Sequence, residues 1–348
     1  LALIIGFAAA FFIYTYVNRE SGGDVYVSGD LSIHFMELGN DRTGDSIYIK
    51  AGNTDILIDA GSTRASSNTT TSYMDEYITD GTLEFVIVTH ADEDHIAGFA
   101  GSTSSPSIFD RYDCEVIIDF ARTNKNTAVY KDYVMQRVEA VAAGAKHYTA
   151  LQCWNNADGA KRTYEVSNGI EMEILYNYYY ENESDDENNY SVCLMFNQGD
   201  THFLFTGDLE EDGESRLVDN NDLPEVELFK AGHHGSKTSS TDKLLQVIRP
   251  KIVCVCCCAG TDEYTDTKEN QFPTQAMIDR VAPYTDRVYV TSQVDESAAS
   301  GYRSMNGNIV VTSNRNGVSV ECSNNTTVLK DTEWFKNNRT MPDAWKAA

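Results

Sequence analysis

Directly after the apolar run Phe85-Val86-Ile87-Val88 comes Thr89-His90-Ala91-Asp92-Glu93-Asp94-His95, which sets two histidines and two aspartates within six residues. A buried strand delivers such a run to one end of a sheet. The loop behind it can then fold back so that side chains at offsets 0, 2, 4 and 5 converge. Two imidazoles and two carboxylates suit a divalent ion, zinc in preference to manganese: imidazole fits the borderline metal and carboxylate the harder one. An acidic surface loop is the plainer alternative, and it rarely comes after so apolar a strand. Two further segments repeat the design. Phe203-Leu204-Phe205-Thr206-Gly207-Asp208 ends an apolar strand in a carboxylate, with a glycine that lets backbone come close. Alone, Gly-Asp is a common turn. Glu227-Leu228-Phe229-Lys230-Ala231-Gly232 leads into His233-His234-Gly235-Ser236, a glycine turn where core packing seldom puts adjacent histidines. Each segment places potential ligands at a strand's C-terminal edge, and the three together are far more specific than any one.

Regular elements must carry these groups. Alternating β-branched stretches at 33–38, 46–50 and 55–59 predict strands, with Gly52-Asn53 as a hairpin-like turn between the last two. A helix is expected over 71–78, then strands at 85–88 and 116–119. The spacing predicts a helix over 130–143 that stops at Gly144. Further strands are expected at 171–175, 191–197, 202–206, 227–230, 252–258, 288–291 and 307–313. Residues 176–189 are polar, tyrosine-rich and acidic, and read as a loop. Strands and helices alternate without an internal repeat, which predicts a layered α/β body with two sheets and outer helices.

Charge narrows the partners. Against 27 Lys and Arg stand 53 Asp and Glu, a formal net charge of −26. Such a surface repels polyanions at long range, so stable nucleic-acid binding is not expected. A metal cluster reverses the local field inside a cleft, which leaves a phosphodiester open as a substrate. Four of the eight cysteines crowd into Ile252-Val-Cys-Val-Cys-Cys-Cys258. A zinc ribbon needs a second, separated pair, and none is present; on a strand these thiols point to both faces, as small apolar residues of a central strand would. Residues 1–17 carry no charge and end at Asn18-Arg19-Glu20. A spanning helix needs roughly 20 apolar residues with a lower limit near 17, so an uncleaved anchor is preferred here to a cleaved signal. Either one exports the rest of the chain. The expected organisation is anchor or signal segment 1–17, linker 18–30, catalytic body 31–322 and a polar, loosely ordered tail 323–348.

Thr89–Gly98 resembles the H-x-[HD]-x-D-H signature of metallo-β-lactamase-fold hydrolases. Asp59, in Leu57-Ile58-Asp59-Ala60-Gly61, matches that family's first motif, where an aspartate orders the metal loop. Asp208 and His-His-Gly-Ser match its bridging aspartate and its last histidine motif. More narrowly, "HF…ELGN…GDS", the "NxxSVxL" stretch and "HHGS" are similar to the extracellular hydrolase domain of ComEC-type DNA-uptake competence proteins. The resemblance covers about 31–322. It implies a four-layer αββα sandwich, here preceded by one N-terminal hydrophobic helix. It implies one ion on His90 and Asp92, another on Asp94, His95 and one histidine of the turn, and Asp208 bridging both. His233 is favoured as that histidine, with His234 left to orient or protonate substrate. The family's middle histidine is missing: its window holds Asn188-Asn189-Tyr190-Ser191. The first site is therefore expected to be weaker, completed by Asn189, Ser191 or water, so that one ion binds tightly and a second only with substrate. The function implied is extracytoplasmic hydrolysis of phosphodiester or related ester bonds by a metal-activated water. Asp94 would hold metal and orient the nucleophile, His234 would protonate the leaving group, and Ser236 or Lys237 would bind a phosphate oxygen. Rival readings are another substrate on the same scaffold, such as a choline phosphate ester or a lactone, and an anchored binding module with a decayed metal site.

Overall fold

Apolar β-branched runs build two eight-stranded sheets in the computed structural model, which describes residues 31–346. The hydrophobic segment 1–17 and linker 18–30 lie outside the described residues. Six strands open the first sheet: β1 (Leu31–Phe35), β2 (Ile47–Ala51), β3 (Thr54–Ile58), β4 (Thr82–Ile87), β5 (Asp113–Asp119) and β6 (Lys146–Thr149). Eight form the second: β7 (Thr163–Ser167), β8 (Ile170–Ile174), β9 (Leu194–Gln198), β10 (Thr201–Phe205), β11 (Leu228–Lys230), β12 (Ile252–Ala259), β13 (Val288–Val294) and β14 (Tyr302–Ser304). The chain then returns to the first sheet with β15 (Ile309–Asn314) and β16 (Gly317–Cys322). Spatial order is β16-β15-β1-β2-β3-β4-β5-β6 in one sheet and β14-β13-β12-β11-β10-β9-β8-β7 in the other.

Alternation along the strands decides which residues face which layer. On β10, Phe203 and Phe205 join the core shared with the first sheet, while Leu204 turns to the helices beyond. On β12, Cys254 and Cys256 face inward, and Val253, Val255 and Cys257 face helices Asp242–Ile248 and Gln275–Val281. The cysteine run is thus a central strand with thiols on both faces, all buried and unpaired. Helices Glu93–Ala100 and Ala128–Ala143 pack with the first sheet, and the order of layers is helix, sheet, sheet, helix.

Several local expectations need correction. The helix after β3 spans Ser66–Met74, starting before 71. Residues 176–189 are not a free loop: they hold two short 3₁₀ turns, Tyr178–Tyr180 and Glu187–Tyr190. Tyr180 is buried, with its hydroxyl accepting from the Cys193 amide at 3.0 Å. The segment past 322 is packed rather than loose. Trp334, Phe335 and Trp345 join the outer core of the second sheet, and the Trp345 indole N–H donates to the Thr285 carbonyl at 2.9 Å. Polar composition had hidden three large apolar anchors. Among the described residues, no helix is long and apolar enough to cross a membrane.

The parallel pairs matter most for function. β3, β4 and β5 run parallel in one sheet, and β10, β11 and β12 in the other. Ligands in such sheets sit outside the strands' carboxyl ends. The loops after β3, β4, β10 and β11 carry Asp59, the His90–His95 run, Asp208 and the paired histidines.

Candidate metal centre

Asp59 leaves β3 with a left-handed backbone, φ 58°, and is fully buried. Its two oxygens accept from the Thr89 amide (2.8 Å), the Thr89 hydroxyl (2.7 Å) and His95 Nδ1 (2.8 Å). It fixes the loop after β4 and turns the His95 ring so that Nε2 points away from it, the ordering role its motif implied. Asp92 stands at the N-cap of helix Glu93–Ala100 but makes no capping bond; its carboxylate faces the cleft, paired with Lys125. Asp94 lies in that helix's first turn, where the helix dipole favours an anion. Gly61 makes the close approach possible: a Cβ there would fall 1.4 Å from the Asp94 carbonyl oxygen.

From the second sheet, β10 delivers Asp208 and β11 delivers the histidine pair. His233 and His234 both take left-handed φ, 45° and 52°. Two successive residues in that region cost about 1–3 kcal/mol each, a cost that characteristically gathers at functional sites. The kink drives His234 inward. Its Nδ1 is held by the Cys256 carbonyl (2.9 Å) and Asp45 Oδ1 (3.2 Å), which again leaves Nε2 for the centre.

Four side-chain atoms then meet. His95 Nε2 lies 3.2 Å from His234 Nε2, and these nitrogens lie 3.1 and 3.0 Å from Asp208 Oδ2. Asp94 Oδ2 is 3.4 Å from His234 Nε2. Two donors each about 2.0–2.1 Å from a tetrahedral ion lie roughly 3.3 Å apart. The three spacings among His95, His234 and Asp208 are close to that edge, Asp94 approaches from the His234 side, and these residues fit a divalent ion. Asp45 also falls within 4.8 Å of His95, Asp208 and His234. It touches His234 on the Nδ1 side and pairs with Lys230, so it is better placed to orient than to ligate.

The expected order of the histidines is therefore reversed. His234 enters the cluster, whereas His233 stays at the rim, 4.0 Å from Asp208 Oδ2 with Nδ1 on Glu210 Oε1 at 3.1 Å. With both ring nitrogens committed, His234 is not free to protonate a leaving group. Ser236 bonds Thr238 (2.9 Å) and Lys237 bonds Asn270 (2.9 Å), and neither lines the cleft. His90 and Asp92 lie beside the cluster, with His90 Nε2 3.6 Å from Asp92 Oδ2. Of the residues expected to complete their site, Asn189 bonds Ser184 and Ser191 bonds the Asn188 carbonyl and the Asp208 amide. Asn188 is the member of that window that lines the cleft.

Residue-by-residue reading missed Asp45, Lys230, Lys125, Glu210 and Tyr264. Lys230 is fully buried, its ammonium 2.5 Å from Asp45 Oδ2 and 3.2 Å from Asp208 Oδ1. The Tyr264 hydroxyl donates to Asp94 Oδ2 at 2.7 Å. A cleft of about 720 Å³ opens above, walled by Arg42, Lys125, His233, Glu263 and Tyr264.

Burial opposes charge on both His95 and His234, yet their carboxylates win. Asp208 and Asp59 raise His95 well above its ordinary value, and Asp208 and Asp45 do the same for His234. The carboxylates thus favour the protonated form of both rings in the ion-free protein. Raised folded-state pKa values mean that this pairing stabilises the ion-free protein fully below about pH 6.5 and fades as pH climbs through the raised values. An ion must displace those protons, so affinity rises with pH. Calorimetric titration at pH 7 in two buffers of different ionisation enthalpy is expected to show net proton release on ion binding. Release of none would contradict the assignment.

A family described as the metallo-β-lactamase superfamily matches residues 39–106 and 185–259, which include every clustered ligand. The chain is 25% identical over 218 residues to ComE operon protein 3 of Bacillus subtilis, covering 61% of this chain and 24% of that protein. It is 28% identical over 115 residues to Recombination protein 2 of Haemophilus influenzae, covering 33% and 13%. The chain thus spans about a quarter or less of these relatives' lengths. Among solved structures, the metallo-β-lactamase fold protein YhfI of Bacillus subtilis aligns with a TM-score of 0.43 at 9% identity, covering 78% of this chain and 98% of that one.

Proposed function

Since this chain has the metallo-β-lactamase fold and is homologous to ComE operon protein 3, we propose that it is a metal-dependent hydrolase of phosphodiester or related ester bonds. The observation that carries this reading is the convergence of His95, His234 and Asp208 at spacings close to the edge of a tetrahedral site, with Asp94 Oδ2 3.4 Å from His234 Nε2. A divalent ion bound there, zinc for preference, supplies Lewis acidity towards water and towards the ester oxygen. The chain's own groups do the rest. Asp59 and Asp45 hold the two ligand imidazoles in the required tautomer, with Nε2 free. Asp94, at the cleft floor, also orients the attacking water. His233, steadied by Glu210, is the imidazole left facing the cleft, and the leaving-group role passes to it from His234. Arg42 and Lys125 supply the positive charge that draws an anionic ester into an otherwise acidic cleft.

On the same reading the catalytic body lies outside the membrane, anchored or released through residues 1–17, with a small-molecule or phosphodiester substrate and no stable nucleic-acid binding. Its support is the uncharged 1–17 stretch and the −26 net charge. The test is hydrolysis of an aryl phosphodiester by the full chain with zinc, with manganese and with chelator. Turnover that chelator abolishes and metal restores is expected. A folded, metal-loaded protein with no turnover on aryl phosphodiesters or phosphomonoesters would sink the reading.

A further inference from the structure

We propose that the centre holds a single ion, and that the ammonium of Lys125 stands where the second ion of a two-ion site would. This rests on the metal-dependent reading above and departs from the two-ion arrangement that Asp208, as a bridging ligand, would serve.

The second position would draw on His90, Asp92 and Asp208, and each carboxylate is already partly spent. Asp92 Oδ1 is in a tight ion pair with Lys125 Nζ, which leaves only Oδ2, 3.6 Å from His90 Nε2. Asp208 Oδ1 receives the buried Lys230 ammonium at 3.2 Å, and its Oδ2 is shared between the Nε2 atoms of His95 and His234. No imidazole replaces the missing middle histidine. Asn188 Nδ2 lies 3.4 Å from Glu210 Oε1, and the Ser191 hydroxyl is taken by the Asn188 carbonyl and the Asp208 amide. What remains is His90 Nε2, buried and without a partner, one oxygen of Asp92, and two neutral amide oxygens, Asn188 Oδ1 at the cleft and Asn189 Oδ1, which is turned towards Gly213. A protein zinc site uses at least three protein ligands. One imidazole and one carboxylate oxygen, with only neutral amide oxygens near them, fall short of the His, Cys and carboxylate sets that hold zinc, whereas the groups around His95 and His234 supply one.

Lys125 reaches this position from the loop after β5 and lines the cleft, with its side chain 31% exposed. Its ammonium is held by Asp92 and faces the space over the ion site. It therefore supplies a fixed positive charge of the kind a second ion gives a two-ion hydrolase, where a paired cation binds the second oxygen of the transferring group. The substrate class this suits is a monoanionic ester, such as a phosphodiester, with one anionic oxygen on the ion and the other on Lys125. Lys125 is then a substrate-binding residue rather than a surface lysine.

The decisive measurement is the count of cobalt(II) and zinc bound by the chelator-stripped full chain, read by calorimetric titration and by the cobalt visible and EPR spectra. One equivalent per chain is expected, with a magnetically isolated cobalt signal. His90→Ala should still bind one equivalent. Lys125→Met should keep that equivalent at an unchanged Kd while KM for an aryl phosphodiester rises tenfold or more, and Lys125→Arg should hold KM within threefold of wild type. Two equivalents of comparable affinity with spin-coupled cobalt would overturn the proposal. So would loss of an ion in His90→Ala, or an unchanged KM in Lys125→Met. Zero equivalents would instead remove the metal-dependent reading beneath it, so the two failures are distinguishable, and the wild-type count decides even if a variant does not fold.

Discussion

Asp208→Asn is expected to lower metal-dependent turnover by on the order of 10³-fold, about 4 kcal/mol of transition-state stabilisation, while leaving the far-ultraviolet circular dichroism unchanged. The substitution keeps the side chain's shape and an acceptor oxygen that can still face Lys230 Nζ, now 3.2 Å from Oδ1. What it removes is the negative charge at Oδ2, the atom 3.1 and 3.0 Å from the two ligand imidazoles. An ion held by His95, His234 and Asp94 alone loses its central anionic donor. Steady-state kinetics with added zinc and with chelator check this. Activity within tenfold of wild type would mean that Asp208 is not a ligand.

Lys230→Met carries the largest expected effect on stability. The ammonium is 1% exposed and lies between Asp45 at 2.5 Å and Asp208 at 3.2 Å, with the Gly207 carbonyl at 3.2 Å as a further acceptor. Burial works against its charge, and the two carboxylates reverse that, holding the lysine protonated. Removing one member of such a buried set leaves the others uncompensated, which costs about 3–5 kcal/mol. Thermal unfolding of the ion-free protein should fall by about 10 °C, at roughly 2–4 °C per kcal/mol for a large domain. Added zinc should recover part of the loss, because an ion on Asp208 replaces some of the missing positive charge. A midpoint within 2 °C of wild type would show that Asp45 and Asp208 do not depend on the lysine.

The ligand-bearing loops were legible because each obeys a local rule: an apolar strand ends, and ligand-type residues come at once. Asp59, Asp94, His95 and Asp208 could all be placed this way. The order within His233-His234 could not. Both lie in one glycine turn, and only the two left-handed backbones and the Cys256 carbonyl decide which ring turns inward. Asp45 was on view in Gly44-Asp45-Ser46, but its partners, His234 and Lys230, come from the other sheet. Lys230 and Lys125 read as ordinary lysines at a strand end and in a loop. Their meaning depends on contacts with Asp208 and Asp92 that span 22 and 33 residues of chain. Layering was equally legible from strand alternation, whereas the packed segment past 322 was not. There Trp334, Phe335 and Trp345 stand among polar neighbours with no periodicity to announce them.

The identity of the ion's ligands is tested most directly by X-ray absorption at the zinc edge on the full chain loaded with one equivalent of zinc. Four nitrogen or oxygen donors at about 2.0–2.1 Å are expected, with outer-shell scattering from two imidazoles, His95 and His234, and one imidazole fewer in His234→Ala. An unchanged spectrum in His234→Ala, or a wild-type site with no imidazole scattering, would contradict the assignment of the centre.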